Sequence, residues 1–316
     1  MKKLLVLVIT GILPIIALSQ AGHIMQGIGA FNMSMGGAAT AQPLDINGAL
    51  HRNPAGIAAF DSKVFSANAG LFFSSPELSS TVPTPSGPFS GVTKDDKGIS
   101  IMPAIAMVWG KKDSRHTFGL HAFGVSGFGV TFPENNSNPI NMPQNQGGFG
   151  RIESNYMLMQ IGFTYAYELS EKFSIGLAPT FNYSALELAP NPLASPNMEK
   201  GYPVADNASA LGFGGQVGVF YNSGMGIKLG ASYKTEQRFK EFEFENTYLD
   251  GSAAPGVNFK MNYPSIISVG LGYSKKAIDF ALDYRYVDYK NKTTGVCKPF
   301  YPSDYEKDMK MIMDFY

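Results

Sequence analysis

The chain has 316 residues, and its 25 Lys plus Arg balance 25 Asp plus Glu, so no electrostatic footprint marks nucleic acid or an acidic partner. Charged residues are 16%, below the roughly 25% of ordinary soluble domains, while aromatics reach 13% and glycines number 35. Mean hydropathy is −0.05, and no long uncharged apolar run follows residue 18; this argues against a helical membrane bundle and suits a membrane β-barrel, which hides its hydrophobicity in alternation.

The N-terminus reads as a secretory signal peptide over residues 1–21. Lys2 and Lys3 form its basic start, Leu4–Leu18 its apolar run and Ser19-Gln20-Ala21 its small-residue cleavage site. The next segment, 22–60, is rich in Gly and Ala and nearly uncharged. It carries Met35-Gly36-Gly37-Ala38-Ala39 and closes on Asn53-Pro54-Ala55-Gly56. Pro54 fixes its own backbone and biases Asn53 to an extended form, so Asn53, Pro54 and Ala55 form a defined turn. A small compact segment ahead of an exported, strand-rich chain is expected to be a plug.

Alternating runs then recur at 62–74, 98–110, 116–128, 154–168, 172–188, 208–222, 226–238, 259–274 and 277–290. In the fourth, Ile161, Phe163, Tyr165 and Tyr167 alternate with Gly162, Thr164 and Ala166; in the ninth, Ile278, Phe280, Leu282 and Tyr284 alternate with Asp279, Ala281, Asp283 and Arg285. One face of each run is bulky and apolar, the other small or polar. A soluble sandwich and a membrane barrel share that pattern, but the runs exceed the five or six residues usual in globular sheets and suit tilted spans. Connections alternate short and long, as in outer-membrane barrels with short periplasmic turns and long external loops. The polar residues Asp279, Asp283 and Arg285 are expected to line the lumen as a hydrated wall. Loop 81–92 reads as an extended, solvated Pro/Ser stretch. Loop 128–150 reads as the landing site for an apolar substrate, through Phe128, Val130, Phe132, Met142 and Phe149.

No catalytic constellation stands out. His23, His51, His116 and His121 lack metal-ligand spacing, and the lone Cys297 excludes an internal disulfide and multi-Cys metal sites. Neither a metal nor a cofactor is expected. His51, beside the Asn-Pro-Ala turn, reads as a packing residue or as a partner for a wall carboxylate.

Segment 21–60 resembles the N-terminal hatch of the FadL/TodX family of outer-membrane transporters for long-chain fatty acids and aromatic hydrocarbons. The matching residues are Gly27, Gly29-Ala30, the Met35–Ala39 run with Ala41, and Asn53-Pro54-Ala55-Gly56; Ile227–Tyr233 and Phe259–Pro264 are similar to mid-barrel strands of the family. The resemblance implies an all-β fold: a transmembrane antiparallel β-barrel of fourteen strands, about nine to ten recognisable here, closed by a luminal plug. Residues 61–316 would form the barrel. Alternation lapses after Lys292 and returns weakly at Met309, Met311, Met313 and Phe315, so the barrel reads as truncated at its C-terminus. Gly36, Gly37, Asn53, Pro54 and Ala55 would serve plug and gating. The implied function is passive transport of hydrophobic small molecules across the bacterial outer membrane, by a monomer surrounded by outer-membrane lipid and lipopolysaccharide and inserted by the assembly machinery. The alternatives are a barrel adhesin or enzyme, or a general porin.

Overall fold

The computed structural model describes residues 23–289; the segment 1–21 expected to be a signal peptide, Cys297 and the run Met309–Phe315 lie outside them. The first elements among the described residues are α1 (Gly29–Ser34), α2 (Ile46–Arg52) and a 3-10 turn at Pro54–Ala59. Strands follow: β1 (Lys63–Phe73), β2 (Glu77–Thr84), β3 (Gly87–Lys94), β4 (Ile99–Trp109), β5 (His116–Phe132), β6 (Ile152–Ser170), β7 (Phe173–Ala189) and β8 (Val204–Asn222). The last six are β9 (Ile227–Lys234), β10 (Arg238–Phe239), β11 (Phe242–Thr247), β12 (Ala253–Phe259), β13 (Ser265–Lys275) and β14 (Ile278–Asp288).

The wall is one curled antiparallel sheet in the order β1-β4-β5-β6-β7-β8-β9-β13-β14. Each of its nine strands falls on one of the nine alternating runs. Among the described residues, β1 and β14 do not pair with each other. The bulky parity faces out: Leu71 is 56% exposed, Ile101 68%, Phe213 63% and Leu282 55%. Burying one such side chain is worth about 1.5–3 kcal/mol, so a whole face of them left in water would be untenable, and lipid is the solvent that suits it.

The small parity faces in, against the N-terminal segment. Asp45 starts α2 by accepting from the Asn47 and Gly48 N–H groups at 3.2 and 3.3 Å, and α2 is buried along its whole length. The approach is so close that wall glycines are required. A Cβ on Gly218 would collide with the Asn53 carboxamide, and one on Gly270 would lie 2.8 Å from the Ala41 nitrogen. The glycines on the inward parity of the strands are thus the sockets for this segment.

Several connections differ from expectation. Loop 81–92 is not simply solvated coil: β2 and β3 form a hairpin in which Pro83 faces Pro88, and Asn138 of the next loop donates to the Leu78 carbonyl at 2.8 Å. Proline is tolerated there because the hairpin pairs only with itself, leaving both strands as edges. The third run continues as strand to Phe132. The seventh run stops at Lys234, but β10 and β11 carry the pairing on along β8, Arg238 opposite Phe213 and Thr247 opposite Val204.

Candidate functional site

The N-terminal segment is bonded to the wall at several points. Asn53 Oδ1 accepts from the Ala55 N–H at 3.1 Å, closing the Asn-Pro-Ala turn, while its Nδ2 donates to the carbonyls of Thr40 (2.8 Å) and Val219 (2.9 Å). Gln216 and Ser232 donate to the Arg52 carbonyl at 2.7 and 2.6 Å, capping α2. Gly36 and Gly37 are left-handed, with φ of 65° and 77°. They bring the Gly37 carbonyl within 2.8 Å of Arg52 Nε, and Arg52 Nη2 donates to the Gln26 carbonyl. The wall residues expected to stay hydrated are engaged instead. Asp283 accepts from Ala39 N, Thr40 N and Thr40 Oγ1 at 2.9, 2.9 and 2.7 Å, and Gln42 Nε2 donates to Asp279 at 2.8 Å. Backbone N–H groups brought against the wall need acceptors, and these carboxylates supply them.

Cations gather above this contact. Lys234 and Arg52 are buried, and Lys234 Nζ donates to Gln160 Oε1 at 3.1 Å. Among the described residues, Lys234, Arg52 and Arg285 form no ion pair. A cavity about one water molecule in size is lined by His51, Arg52, Gln216, Lys234, Ile266 and Ser268. Burial, then the neighbouring Arg285, lowers the Arg52 guanidinium to about 9, with Asp283 acting against the shift, so it stays charged at neutral pH. Burial and the surrounding cations hold His51 well below its ordinary value and therefore neutral. His51 does not meet a carboxylate: its Nδ1 has no hydrogen-bond partner, and its ring lies edge-on to Phe123 at 6.4 Å. The buried Tyr263 hydroxyl and Arg285 Nη1 are likewise unsatisfied.

An aromatic cluster borders the cations. The His23 ring sits edge-on to Tyr156, Tyr263 and Tyr289 at 6.4, 6.4 and 5.6 Å, and Phe128 stacks on Tyr156 at 5.2 Å. Burial lowers His23 to about 4. Phe239, Phe242 and Phe244 extend the same apolar core.

The wall has an opening beside this cluster. The β4–β5 ladder ends at Ala104 opposite Phe123, although β4 runs on to Ile99 and β5 to Phe132. The register of β5 shifts at a bulge between Gly124 and Ser126, and backbone hydrogen bonding to this side of β5 resumes where the Asp96 N–H reaches the Thr131 carbonyl at 2.8 Å. The freed edge is taken by the N-terminus: Met25 N–H donates to Val125 O, and Gly127 N–H to His23 O, both at 3.1 Å, with Ile24 opposite Ser126.

Residues 17–291 match the model of the outer membrane protein transport protein family (OMPP1/FadL/TodX). The chain belongs to this family. It is an outer-membrane transport protein, and its sheet is the wall of a FadL/TodX-type barrel. The solved toluene transporter TodX of P. putida is 19% identical, with a TM-score of 0.61 over 82% of this chain and 70% of that one. The toluene transporter TbuX of Ralstonia pickettii gives 18% and 0.61 over 83% and 72%, and a FadL homologue of Pseudomonas aeruginosa 12% and 0.63 over 84% and 70%. At those identities the likeness establishes the shared fold. No curated protein matches.

The landing-site residues expected in loop 128–150 are not brought together into one patch. Phe128, Val130 and Phe132 lie in β5, with Val130 and Phe132 buried and Phe128 in the aromatic cluster. Met142 and Phe149 are half-buried in the loop beyond, with Phe149 against Tyr202 at 4.9 Å. Sequence reading missed Tyr156, Gln160 and Lys234. Their signal was parity: each sits on the inward register of its strand, where the neighbours are small, so a large ring, an amide or a cation there is out of pattern.

Proposed function

We propose that the chain passively transports hydrophobic molecules bearing a carboxylate, of the long-chain fatty acid kind, through a barrel plugged by residues 22–60 after loss of a signal peptide at 1–21. The supporting observation is the pairing of the Tyr156–Tyr263–Phe128 cluster with Lys234, Arg52 and Arg285, none in an ion pair among the described residues. Charge taken out of water is tolerated only when compensated, and a ligand carboxylate compensates these cations while its tail lies on the rings. A neutral hydrocarbon such as toluene, named for the TodX and TbuX structures, would add no counter-charge to them beyond the partial compensation that Asp283 gives Arg52. Gly36, Gly37, Asn53, Pro54 and Ala55 hold the plug in this scheme, with Asp279 and Asp283 as its wall anchors. The gap between β4 and β5 is the way out to lipid once residues 23–25 leave it. The role is transport rather than catalysis, by a monomer set in outer-membrane lipid and lipopolysaccharide by the assembly machinery.

Binding of a long-chain fatty acid and of an alkylbenzene to purified protein, wild type and Lys234→Met, tests this. Charge-assisted contacts are worth about 1.5–3 kcal/mol, so the variant should bind the fatty acid at least about tenfold more weakly and the alkylbenzene unchanged. Equal effects on both ligands would contradict the carboxylate assignment.

A further inference from the structure

We propose that the short-turn end of β4, β5 and β6 binds the headgroup of an anionic glycerophospholipid in the periplasmic leaflet. The turn joining β4 to β5 exposes Lys111, Lys112 and Arg115, and Lys63 stands in register with Trp109 at the end of β4. Among the described residues, Asp61, Asp113 and Glu168, the last within reach of the Arg115 charge, are the carboxylates of this end, so four cations face three anions. Among the described residues, none of the four forms an ion pair. The neighbouring β6–β7 turn adds Glu171 and Lys172, which cancel.

Beside these cations the outer face carries a belt of rings. His116 lies 5.1 Å from Tyr167, Phe118 lies 5.2 Å from Tyr165, and the Tyr165 hydroxyl meets His116 Nδ1 at 2.7 Å. Phe118 and Phe163 are 41% and 49% exposed, and Trp109 stands opposite Phe118. Rings with an apolar body and a polar tip sit at the headgroup level of a bilayer. The belt therefore fixes the depth of the turn and sets Lys111, Lys112 and Arg115 at the level of lipid phosphates. Short turns of such barrels face the periplasm, where the leaflet is glycerophospholipid. Charge is distributed differently at the long-loop end, where Glu241, Glu243, Glu245 and Asp250 crowd a single stretch.

The site has its own reporter, because Trp109 is the only tryptophan of the chain. Full-length protein in vesicles of phosphatidylcholine would be titrated with brominated phosphatidylglycerol or brominated phosphatidylcholine, reading the quenching of Trp109. The expected result is a preference for phosphatidylglycerol of about fivefold, the weight of one cation near an anionic surface. Lys111→Gln, Lys112→Gln and Arg115→Gln together should abolish the preference, bringing the ratio to one or below with quenching by phosphatidylcholine unchanged. Equal quenching by the two lipids in the wild type, or a preference that survives the triple substitution, would overturn the proposal. Should the variant fail to insert, salt decides on the wild type: raising it from about 0.1 to about 1 M cuts the screening length from roughly 10 to 3 Å. The preference should collapse, and one unmoved by salt would overturn the proposal. The site rests on the orientation of the barrel, which is read separately with Ser114→Cys in a Cys297→Ser background. An impermeant maleimide should not label it in intact cells; labelling would overturn the proposal by way of the orientation rather than the lipid chemistry.

Discussion

The Asn53 carboxamide reaches from the N-terminal segment to the wall, donating to the Val219 carbonyl of β8 at 2.9 Å while it also holds the Thr40 carbonyl and the Ala55 N–H. One fully buried side chain thus fixes the Asn-Pro-Ala turn, the loop before α2 and the barrel at once. Asn53→Ala should leave these groups unpaired at about 1–3 kcal/mol each. The barrel should still insert and run as a heat-modifiable band, since the strand ladders are untouched. Swelling of vesicles in small sugars should rise above wild type as the segment loosens; wild-type swelling would show that Asn53 does not secure it.

Glycine sockets give a second route to the same loosening. On Gly218 a Cβ meets the Asn53 carboxamide, and on Gly176 it meets the Ala55 nitrogen. Gly218→Val or Gly176→Val cannot keep the segment seated, because the Ala55 backbone cannot yield and the Asn53 carboxamide is tied down by its three hydrogen bonds. Both variants should expose the 22–60 segment to added protease while the wall resists, and protection equal to wild type would contradict the packing.

How much of this was legible depends on the signal. All nine wall strands could be read because a strand with one face in lipid must alternate, and Ile161-Gly162-Phe163-Thr164-Tyr165 does so without a break. Strand ends were less visible, since Phe128, Val130 and Phe132 keep the alternation going where a loop was expected. β10 to β12 are too short to show a period. The site itself was largely hidden. It is assembled from single inward residues of distant strands, such as Tyr156, Lys234 and Arg285, and no local spacing joins them. The Asn53 turn was readable because Pro54 imposes its geometry locally.

The ninth wall strand separates lipid from lumen residue by residue. Leu282→Arg should cost about 2–4 kcal/mol and impair insertion. Asp283→Asn should insert normally yet weaken the acceptor for Ala39 and Thr40, and so raise sugar permeation. Folded yields measured by heat-modifiability check both; equal yields for Leu282→Arg and wild type would place that face away from lipid.

Acid should release the N-terminus. His23 is neutral in the aromatic cluster, with burial lowering it to about 4 from an ordinary 6.5. The undocked segment therefore binds more protons between those values. Docking is at full strength above about pH 6.5 and is lost as pH falls toward 4, by up to about 3 kcal/mol. A spin label on Met25→Cys, with Cys297→Ser, should gain mobility between pH 7 and 4.5, and His23→Phe should suppress the gain. Mobility independent of pH in the His23 protein would contradict this.

On the route proposed above, a hydrophobe crosses only when residues 23–25 leave the edge of β5. Ile24 and Ser126 face each other in a bridge flanked by the Met25–Val125 and Gly127–His23 bonds. This is the close type of antiparallel pair, about 4.5 Å between Cα atoms, within disulfide range. Ile24→Cys with Ser126→Cys, in a Cys297→Ser background, would lock the segment in place. Uptake of a labelled long-chain fatty acid into vesicles should fall to the protein-free rate when the pair is oxidised and recover with reductant. Full uptake by the oxidised, cross-linked protein would contradict the account.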